Sequence, residues 1–469
     1  MPTFKVVDLT PKALSGESEQ DSEPFLAVNP EKPTEMVATA FTSDPMGGRF
    51  APVYVSTDGG NTWSLNTIVP GGGRGFGTGD ITVAFADRGG ALYAGILNGV
   101  AAFRQNKTLL QILRAPSVSS TAPMEVLVSR DQVDQPWTIA DTVASAGADH
   151  DRVLVGNNNF NHPSPTSQTA TVDVSADART ARAPAGFAST GIERRTPDGQ
   201  DGPPVRLALH PDGTVYAAFE SWTSTTAVQA VSDVTFDVVV TRDDSAGAGA
   251  NPFQDLKDAT DSSPGQRVAT GRFVAFNSTL GQERLGGDLT IAVDPKDADS
   301  VWIAWCDRVG GAGGTDNTLH VRHSADRGQS WAQARQDITD VKNPALAVNS
   351  AGLVGLAYQK FADNQWTTVL ETTADGWKST PETTVLHQAP AAVPVAVGLP
   401  YLGDYIRLLT VGADFYGVFS GNNTPDNANF PVGVTYQRNA DFTTHQLLDV
   451  DGTSGVAVSI DPFFFHRAA

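Results

Sequence analysis

The chain has 469 residues, of which 40% are hydrophobic, and it carries 52 acidic against 32 basic side chains. A formal charge of −20, without clustered Lys or Arg, argues against a surface that follows nucleic acid phosphates. The 45 Gly and 29 Pro residues occur throughout and favour many short strands joined by turns over long helices. A single cysteine, Cys306, excludes an intramolecular disulfide framework.

The N-terminal stretch MPTFKVVDLT has no basic region followed by an apolar run. No later segment approaches the roughly 18 apolar residues of a membrane span. We therefore expect a soluble protein without membrane insertion. It would be cytoplasmic or exported by a route that leaves no leader here, and a mature secreted form also fits.

The first predicted element, a strand at residues 4–9, is followed by seven apolar hairpins. Each hairpin is an apolar strand, a turn rich in Pro, Asp or Gly, and a second apolar strand. The hairpins begin near residues 24, 80, 136, 205, 288, 344 and 404. Their spacing, mostly about 55 to 60 residues, suits one four-stranded blade per repeat. The sequence therefore predicts an all-β fold, with residues 1–469 forming a single β-propeller domain of seven blades or, alternatively, six.

The ends of the chain are predicted to close this ring. Strand 4–9 would be the edge strand of the last blade and would pair beside VGVTYQ at 432–437. The C-terminal IDPFFFHRAA would expose three phenylalanines if it were free in solvent, so we expect it to pack under the ring.

A second repeat lies outside the apolar hairpins, in VYVSTDGGNTWSLN at 53–66 and VRHSADRGQSWAQ at 321–333. The shared residues are Ser56, Asp58, Gly60 and Trp63 in the first copy, and Ser324, Asp326, Gly328 and Trp331 in the second. The Asp can accept hydrogen bonds from backbone N–H groups of its own turn, Gly can take positive φ, and Trp can cover the hairpin. Each copy therefore predicts a self-contained structural turn.

These residues resemble the Asp-box, or BNR repeat (S-x-D-x-G-x-T-W), of sialidase-like β-propellers. The resemblance implies a propeller and says little about chemistry, because Asp-boxes lie on the blade periphery. Sialidases hold a substrate carboxylate with three arginines, one usually within an R-I-P motif ahead of the first repeat. No R-I-P occurs in this chain, and SEPFLAV at 22–28 places an acid there instead. The chain thus resembles bacterial Asp-box proteins of unassigned function more than true sialidases.

Loops that lead into the inner strands of a propeller meet at one mouth of its channel. Five polar residues share one position there, four residues before the aligned Ala or Leu of each inner strand: Glu23, Asp80, Asp288, Asn343 and Asp404. Arg206 and Arg407 lie within inner strands nearby. We predict a ligand-binding, electronegative mouth that could hold a cation such as Ca²⁺ at Asp80, Asp288 and Asp404. The alternative is that each residue only caps a turn.

The segment LPYLGDYIRL at 399–408 adds candidate catalytic residues. Asp404 with Tyr405 or Tyr401 could act as acid and nucleophile, if a Glu from another blade activated the phenol. Two functions remain open. The main interpretation is a rigid, non-catalytic binding or scaffold module whose ligand is a glycan, a cation or a protein. The alternative is a glycoside hydrolase of the sialidase-like superfamily that acts on a neutral or non-sialic glycan.

Overall fold

The computed structural model describes residues 2–41, 52–70, 78–98, 109–145, 147–161, 168–182, 186–198, 201–228, 231–275, 289–311, 317–394 and 402–469. Secondary structure in these residues consists of β-strands and of short 3-10 turns such as Lys12–Leu14 and Asn427–Asn429. None of the described segments is a helix of the length and apolar character that crossing a membrane requires.

Most strands follow one another in four-stranded antiparallel sheets. The first strand, β1 (Phe4–Asp8), belongs to the last sheet. Sheet 1 contains β2 (Ser22–Val28), β3 (Met36–Phe41), β4 (Val53–Ser56) and β5 (Ser64–Leu65). Sheet 2 contains β6 (Thr78–Phe85), β7 (Leu92–Asn98), β8 (Leu109–Ala115) and β9 (Glu125–Asp131). Sheet 3 contains β10 (Val133–Ser145), β11 (Ala148–Asn159), β12 (Ala170–Ser175) and β13 (Ala188–Gly191).

The second half of the chain repeats this arrangement. Sheet 4 contains β14 (Asp201–Leu209), β15 (Val215–Val228), β16 (Val231–Asp243) and β17 (Gln266–Ala275). Sheet 5 contains β18 (Leu289–Asp294), β19 (Asp297–Arg308), β20 (Asn317–Ser324) and β21 (Ala332–Thr339). Sheet 6 contains β22 (Val341–Val348), β23 (Val354–Ala362), β24 (Gln365–Thr373) and β25 (Glu382–Pro390).

The last sheet has a different connection. Sheet 7 begins with β26 (Arg407–Val411) and β27 (Asp414–Asn422). An insertion follows that forms a small three-stranded sheet of β28 (Ala440–Asp441), β29 (Gln446–Leu448) and β30 (Gly455–Val456). The chain then returns as β31 (Ile460–Arg467), which pairs with β27, and β1 adds to its far side.

The first strands of successive sheets contact one another all the way round. β2 contacts β6, the contacts continue through β10, β14, β18 and β22, and β26 meets both β22 and β2. A closed ring of antiparallel four-stranded sheets is a β-propeller, so the predicted fold is confirmed for the described residues. Inner strands are apolar because they are covered on both sides; every residue of β2 and of β22 is buried.

Strand pairing in sheet 7 corrects the predicted closure. β1 pairs with β31, from Phe4 opposite Arg467 to Asp8 opposite Phe463. Backbone pairing of segment 432–437 with β1 consists of one parallel bridge between Val7 and Thr435, beside a hydrogen bond from the Gln437 side chain to the Asp8 carbonyl (3.1 Å).

The C-terminal phenylalanines lie inside this sheet, not under the ring. Alternate residues of a strand point to opposite faces. Accordingly, Phe463 and Phe465 pack with residues of sheet 6, while Phe464 packs with residues of sheet 1. All three are fully buried.

The two repeated turns are held by the hydrogen bonds that their residue types predict. In the first, the Gly60 N–H donates to Ser56 Oγ (2.9 Å) and the Thr62 N–H to Asp58 Oδ1 (2.9 Å). The Trp63 indole donates to the Gly60 carbonyl (3.3 Å). The second copy repeats these contacts: Gly328 N–H to Ser324 Oγ (2.8 Å), Ser330 N–H to Asp326 Oδ1 (2.9 Å), and Trp331 indole to Gly328 carbonyl (3.0 Å).

Each of these turns also packs on the preceding sheet. A Cβ added to Gly60 would lie 2.4 Å from Phe464 Cε1 in sheet 7, so no side chain fits there. At Gly328 the added Cβ would lie 3.2 Å from Leu256, which belongs to sheet 4. In the similar turn of sheet 6, Trp377 stands at this position, and its neighbour Gly376 lies against Trp302 of sheet 5. The turns therefore hold neighbouring sheets together as well as closing their own hairpins.

Candidate functional site

Four inner strands begin with a β-bulge, and the bulges change the predicted register at the mouth. In β2, two residues, Glu23 and Pro24, stand opposite one residue of β3. The matching pairs are Gly79 and Asp80 in β6, Gln135 and Pro136 in β10, and Asn343 and Pro344 in β22. Glu23 and Asn343 thus share the first bulge position, whereas Asp80 occupies the second. The predicted single register for these residues is wrong by one position. The aligned Ala27 and Ala347 lie two residues after the first residue that follows the bulge, whereas Ala84 lies three residues after it.

The bulge gives Asn343 a structural role. Its φ of +54° lies in the left-handed region, which Asn tolerates better than most residues. Its side-chain amide donates to Gln359 Oε1 (2.8 Å) and to the Gly403 carbonyl (3.1 Å). The amide thereby ties the segment before β26 to sheet 6, as the turn-capping alternative describes.

The same segment packs tightly on Glu23. A Cβ added to Gly403 would lie 2.4 Å from Glu23 Cγ and 2.5 Å from its backbone N, and Gly403 has a φ of +90°. Only glycine fits at this close approach. The contact places Asp404 and Tyr405, the next two residues, beside sheet 1.

Tyr405 lies where residues from several sheets meet. Its hydroxyl is 3.5 Å from Asp80 Oδ1 of sheet 2. Its ring centroid is 5.8 Å from that of Trp137 in sheet 3 and 6.4 Å from that of Phe25 in sheet 1. Sheet 7, to which Tyr405 belongs, is a neighbour of sheet 1 but not of sheets 2 and 3. The contacts of Tyr405 with Asp80 and Trp137 therefore cross the centre of the ring.

Two arginines complete this group. Arg206 Cζ lies 3.8 Å from the centroid of the Trp137 ring and 5.2 Å from that of Tyr405. Arg407 Cζ lies 5.1 Å from both Trp137 and Phe25. Such cation–π contacts stabilise buried guanidinium groups. Both arginines were predicted to lie near the mouth, and they place positive charge among its three described carboxylates, Glu23, Asp80 and Asp404.

We call these eight residues the axial cluster: Glu23, Phe25, Asp80, Trp137, Arg206, Asp404, Tyr405 and Arg407. Sheets 1, 2, 3, 4 and 7 contribute to it, and all but Arg407 are less than 9% exposed. Two further predicted members, Asp288 and Tyr401, lie outside the described residues. The structure thus brings Glu23, Asp80, Asp404, Arg206 and Arg407 together as predicted, and assigns Asn343 to the supporting segment.

Burial sets the charge states of the cluster. The pKa of the Tyr405 hydroxyl is raised well above its usual range, first by burial and then by the charges of Asp80 and Glu23. A neutral phenol is thereby favoured over the phenolate that a nucleophile needs. Burial, followed by repulsion from Arg206, lowers the pKa of Arg407 to about 10. Arg407 still carries its charge at neutral pH.

The aromatic residues of this cluster were missed by the sequence analysis. Phe25 and Trp137 stand at the same register, directly after the bulges of β2 and β10. Their rings meet edge to face with centroids 4.7 Å apart. The signal that could have found them is the large aromatic residue after Pro24 and Pro136.

A second buried pair of acidic residues was also not predicted from the sequence. Asp201 begins β14, and its Oδ2 accepts hydrogen bonds from the N–H groups of Thr169 (2.8 Å) and Ala170 (3.0 Å). Its carboxyl group also lies within hydrogen-bonding reach of Glu193. Burial, followed by the charge of Glu193, raises the pKa of Asp201. Glu220 lies next to this pair, opposite Gly202 across the innermost two strands.

The predicted cation site is incomplete in the described residues. No three His, Cys, Asp or Glu side chains among them are arranged to hold a metal ion. Asp80 and Asp404 therefore do not form a site with other described ligands, and the third predicted ligand, Asp288, is not described.

Comparison with known proteins gives only a distant likeness. No protein-family model matches the sequence, and no curated protein matches it. Solved structures with some similarity include the GH93 α-L-arabinofuranosidase of Fusarium graminearum with arabinobiose (TM-score 0.45, 10% identity, 82% of this chain and 98% of that chain). Others are the α-L-arabinanase of Penicillium chrysogenum (0.44, 12%, 98% of each chain) and a Dyadobacter fermentans protein of unknown function (0.46, 11%, 100% of each). At these scores and identities the neighbours say nothing about chemistry, and the fold rests on the strand pairing above.

Proposed function

We propose that the protein is a carbohydrate-active propeller of the sialidase-like Asp-box type, a single domain that hydrolyses a neutral or non-sialic glycan at the axial cluster. The Asp-box assignment is supported by the hydrogen bonds within the turns at Ser56–Trp63 and Ser324–Trp331. The single-domain assignment is supported by the closed ring of contacts among the inner strands.

The observation that carries the proposal is the convergence of carboxyl groups on one tyrosine. Asp80 reaches the Tyr405 hydroxyl from sheet 2, and Glu23 and Asp404 act on its charge from sheets 1 and 7. Glycoside hydrolysis requires two carboxyl groups at one site, one as acid and one as base or nucleophile. We assign Asp80 and Asp404 to this pair. Tyr405 then acts as a positioning residue, since its burial and raised pKa oppose a nucleophilic role.

The surrounding residues suit a sugar. Hydroxyl groups of a sugar both donate and accept hydrogen bonds, so they are matched by carboxylates together with guanidinium groups. Arg206, Arg407 and the three carboxylates supply both kinds of group. Trp137 supports this arrangement, because its ring packs against Arg206 and holds the guanidinium group among the carboxylates.

A panel of aryl glycosides tests the proposal, with neutral sugars and uronic acids as separate arms. We expect turnover of at least one neutral substrate, and a loss of about 10² to 10⁴ in kcat/KM for Asp404→Asn and Asp80→Asn. Asp363→Asn is the matched control, because Asp363 is an exposed Asp in the hairpin between β23 and β24. Turnover that Asp80→Asn and Asp404→Asn leave intact would contradict the assignment.

A non-catalytic glycan-binding module is the second candidate. The burial of Tyr405, at 4% exposure, favours it, because a buried hydroxyl is poorly placed to react with a substrate. A thermal-shift screen with the same sugars separates the two candidates, since a ligand that binds the folded state raises Tm. A raised Tm without turnover supports binding alone, and the absence of both would contradict either function.

A further inference from the structure

Buried carboxyl groups also gather where the ring closes, in and around β1 and β31. Asp8 ends β1, Glu17 and Asp21 lie in the segment between β1 and β2, and Asp461 lies in β31. Their exposed fractions are 0%, 7%, 0% and 0%. We call these four residues, with Arg438, the closure cluster.

Arg438 is the described cation that lies against these acids. Arg438 is 3% exposed, and its Nη1 donates to Asp461 Oδ2 (2.8 Å) and lies 3.6 Å from Glu17 Oε2. Its Nη2 donates to the Ser15 carbonyl (2.8 Å). A single guanidinium cannot neutralise Asp8, Glu17 and Asp461 together, and unpaired negative charges in a dry interior would be very costly.

Few other described side chains that face the cluster can donate a proton or carry a charge. The titratable and charged side chains around it are Asp8 from β1, Glu17 and Asp21 from the following segment, Tyr54 from β4, Tyr436 and Arg438 from the insertion, and Asp461 from β31. The Tyr54 hydroxyl donates to Asp21 Oδ2 (3.1 Å). Tyr436 donates its own proton to the Asn423 carbonyl (3.0 Å).

Asp8 and Glu17 each have one buried carboxylate oxygen that receives no hydrogen bond from another described residue. Asp8 Oδ1 accepts from the Thr10 N–H (2.9 Å), but the buried Oδ2 receives no hydrogen bond from another described residue. The buried Oε2 of Glu17 is in the same position, apart from its ion pair with Arg438. The Asp8 carboxyl group lies within hydrogen-bonding reach of Asp461. Two ionised carboxylates are acceptors only, so this contact needs a proton between them.

We propose that closure of the ring is a proton-dependent latch, in which protons held by Asp8 and Glu17 keep β1 and the following segment on sheet 7. Loss of these protons releases the N-terminal segment at alkaline pH. The propeller thus opens at its seam while the other sheets stay folded.

Electrostatics of the cluster support the direction of this effect. Burial, followed by the charges of Asp21 and Asp461, raises the pKa of Glu17 to about 10. Burial and then Asp461 raise the pKa of Asp8 as well. A carboxyl group whose folded pKa lies above its unfolded value stabilises the closed state at low pH. That stability declines as the pH rises from the unfolded pKa, about 4, towards the folded one.

Hydrogen exchange on the full chain tests the latch. Peptides covering residues 4–21 and 354–362 are compared between pH 6 and pH 9, after correction for intrinsic exchange rates. We expect the opening constant of 4–21 to rise roughly tenfold per pH unit for each proton released, while β23 stays unchanged. Equal pH dependence in both peptides, or none in 4–21, would overturn the proposal.

Substitution with amides provides the second test. Asn or Gln supplies a permanent N–H donor in place of the proton, so Asp8→Asn and Glu17→Gln should each flatten the pH dependence of 4–21. Glu125→Gln makes the same chemical change at an exposed residue that pairs with Arg114, and should leave it as in the wild type. Variants that retain the full pH dependence would assign the protons to other groups and reject the latch. The pH dependence of hydrogen exchange in the wild-type protein tests the latch even if a variant does not fold.

Discussion

At the scale of single residues, substitutions of two adjacent glycines distinguish the cost of backbone strain from the cost of disturbing the packing between sheets. Gly59 and Gly60 have nearly equal φ, +76° and +77°. A Cβ on Gly59 would meet nothing within 4 Å, whereas one on Gly60 would collide with Phe464. Gly59→Ala should therefore cost only the left-handed strain, about 1 to 2 kcal/mol. Gly60→Ala should cost about 1 to 3 kcal/mol more, through overpacking.

Denaturant unfolding of both variants measures this difference. Because each variant carries the same added methyl group, subtracting the two losses isolates the contact between the turn and sheet 7. Equal losses for Gly59→Ala and Gly60→Ala would mean that Phe464 moves aside freely and that the turn does not hold the sheets together.

Residues whose hydrogen-bond partners lie nearby in the sequence could be predicted, whereas residues whose partners lie in other sheets could not. Asp58 and Asp326 bond only to groups within four residues, so a short sequence window contains the whole turn. The arginines of the axial cluster lie in different sheets from their aromatic partner Trp137. No local pattern records that Arg206 and Arg407 approach the same ring, and the mouth was accordingly predicted to be acidic.

At the scale of elements, the last sheet depends on a strand from the other end of the chain. β1 covers the edge of β31 along five residues, with Val6 and Val7 buried. Deletion of residues 2–7 should leave that edge open, lower Tm and promote self-association, because an uncovered strand edge pairs with other chains. A synthetic peptide of residues 1–8 should restore Tm and the monomer.

Light scattering during size-exclusion chromatography, together with thermal melts, checks this expectation. A peptide of the same composition in scrambled order is the control, since it lacks the alternation that buries Val6 and Val7. If the shortened chain kept its Tm and did not self-associate, β1 would be dispensable for closing the sheet.

Strand positions were easier to predict than strand partners. Apolar runs located the inner hairpins to within a few residues, because burial on both sides leaves a continuous signal. The bulges left no such signal, so the inner strands were aligned on alanines that stand at different distances from the bulge, and Asp80 was placed one position away from its true equivalents. The partner of β1 was also misjudged, because β31 and segment 432–437 are both apolar and only packing selects between them.

At the scale of the whole molecule, the sequence repeats predict the ring of sheets, but they do not predict the contacts that close it. Repeats of similar length dictate similar sheets, so the propeller could be predicted without knowing any contact. The closure cluster draws on Asp8, Glu17, Asp461 and Arg438, which share no motif and are separated by most of the chain. Contacts between residues so far apart in the sequence can be identified only in the folded structure.

Net charge gives a prediction for the molecule as a whole. A formal charge of −20 repels itself in the compact state, and salt screens this repulsion as the Debye length falls from about 30 Å at about 0.01 M to about 8 Å at about 0.15 M. Tm at pH 8 should therefore rise with NaCl over this range. Near the isoelectric point, at about pH 4.7, the same salt should have little effect, because the net charge has gone. Calorimetry at both pH values checks this, and a Tm that rose equally at pH 4.7 would point to a general salt effect on burial instead of charge screening.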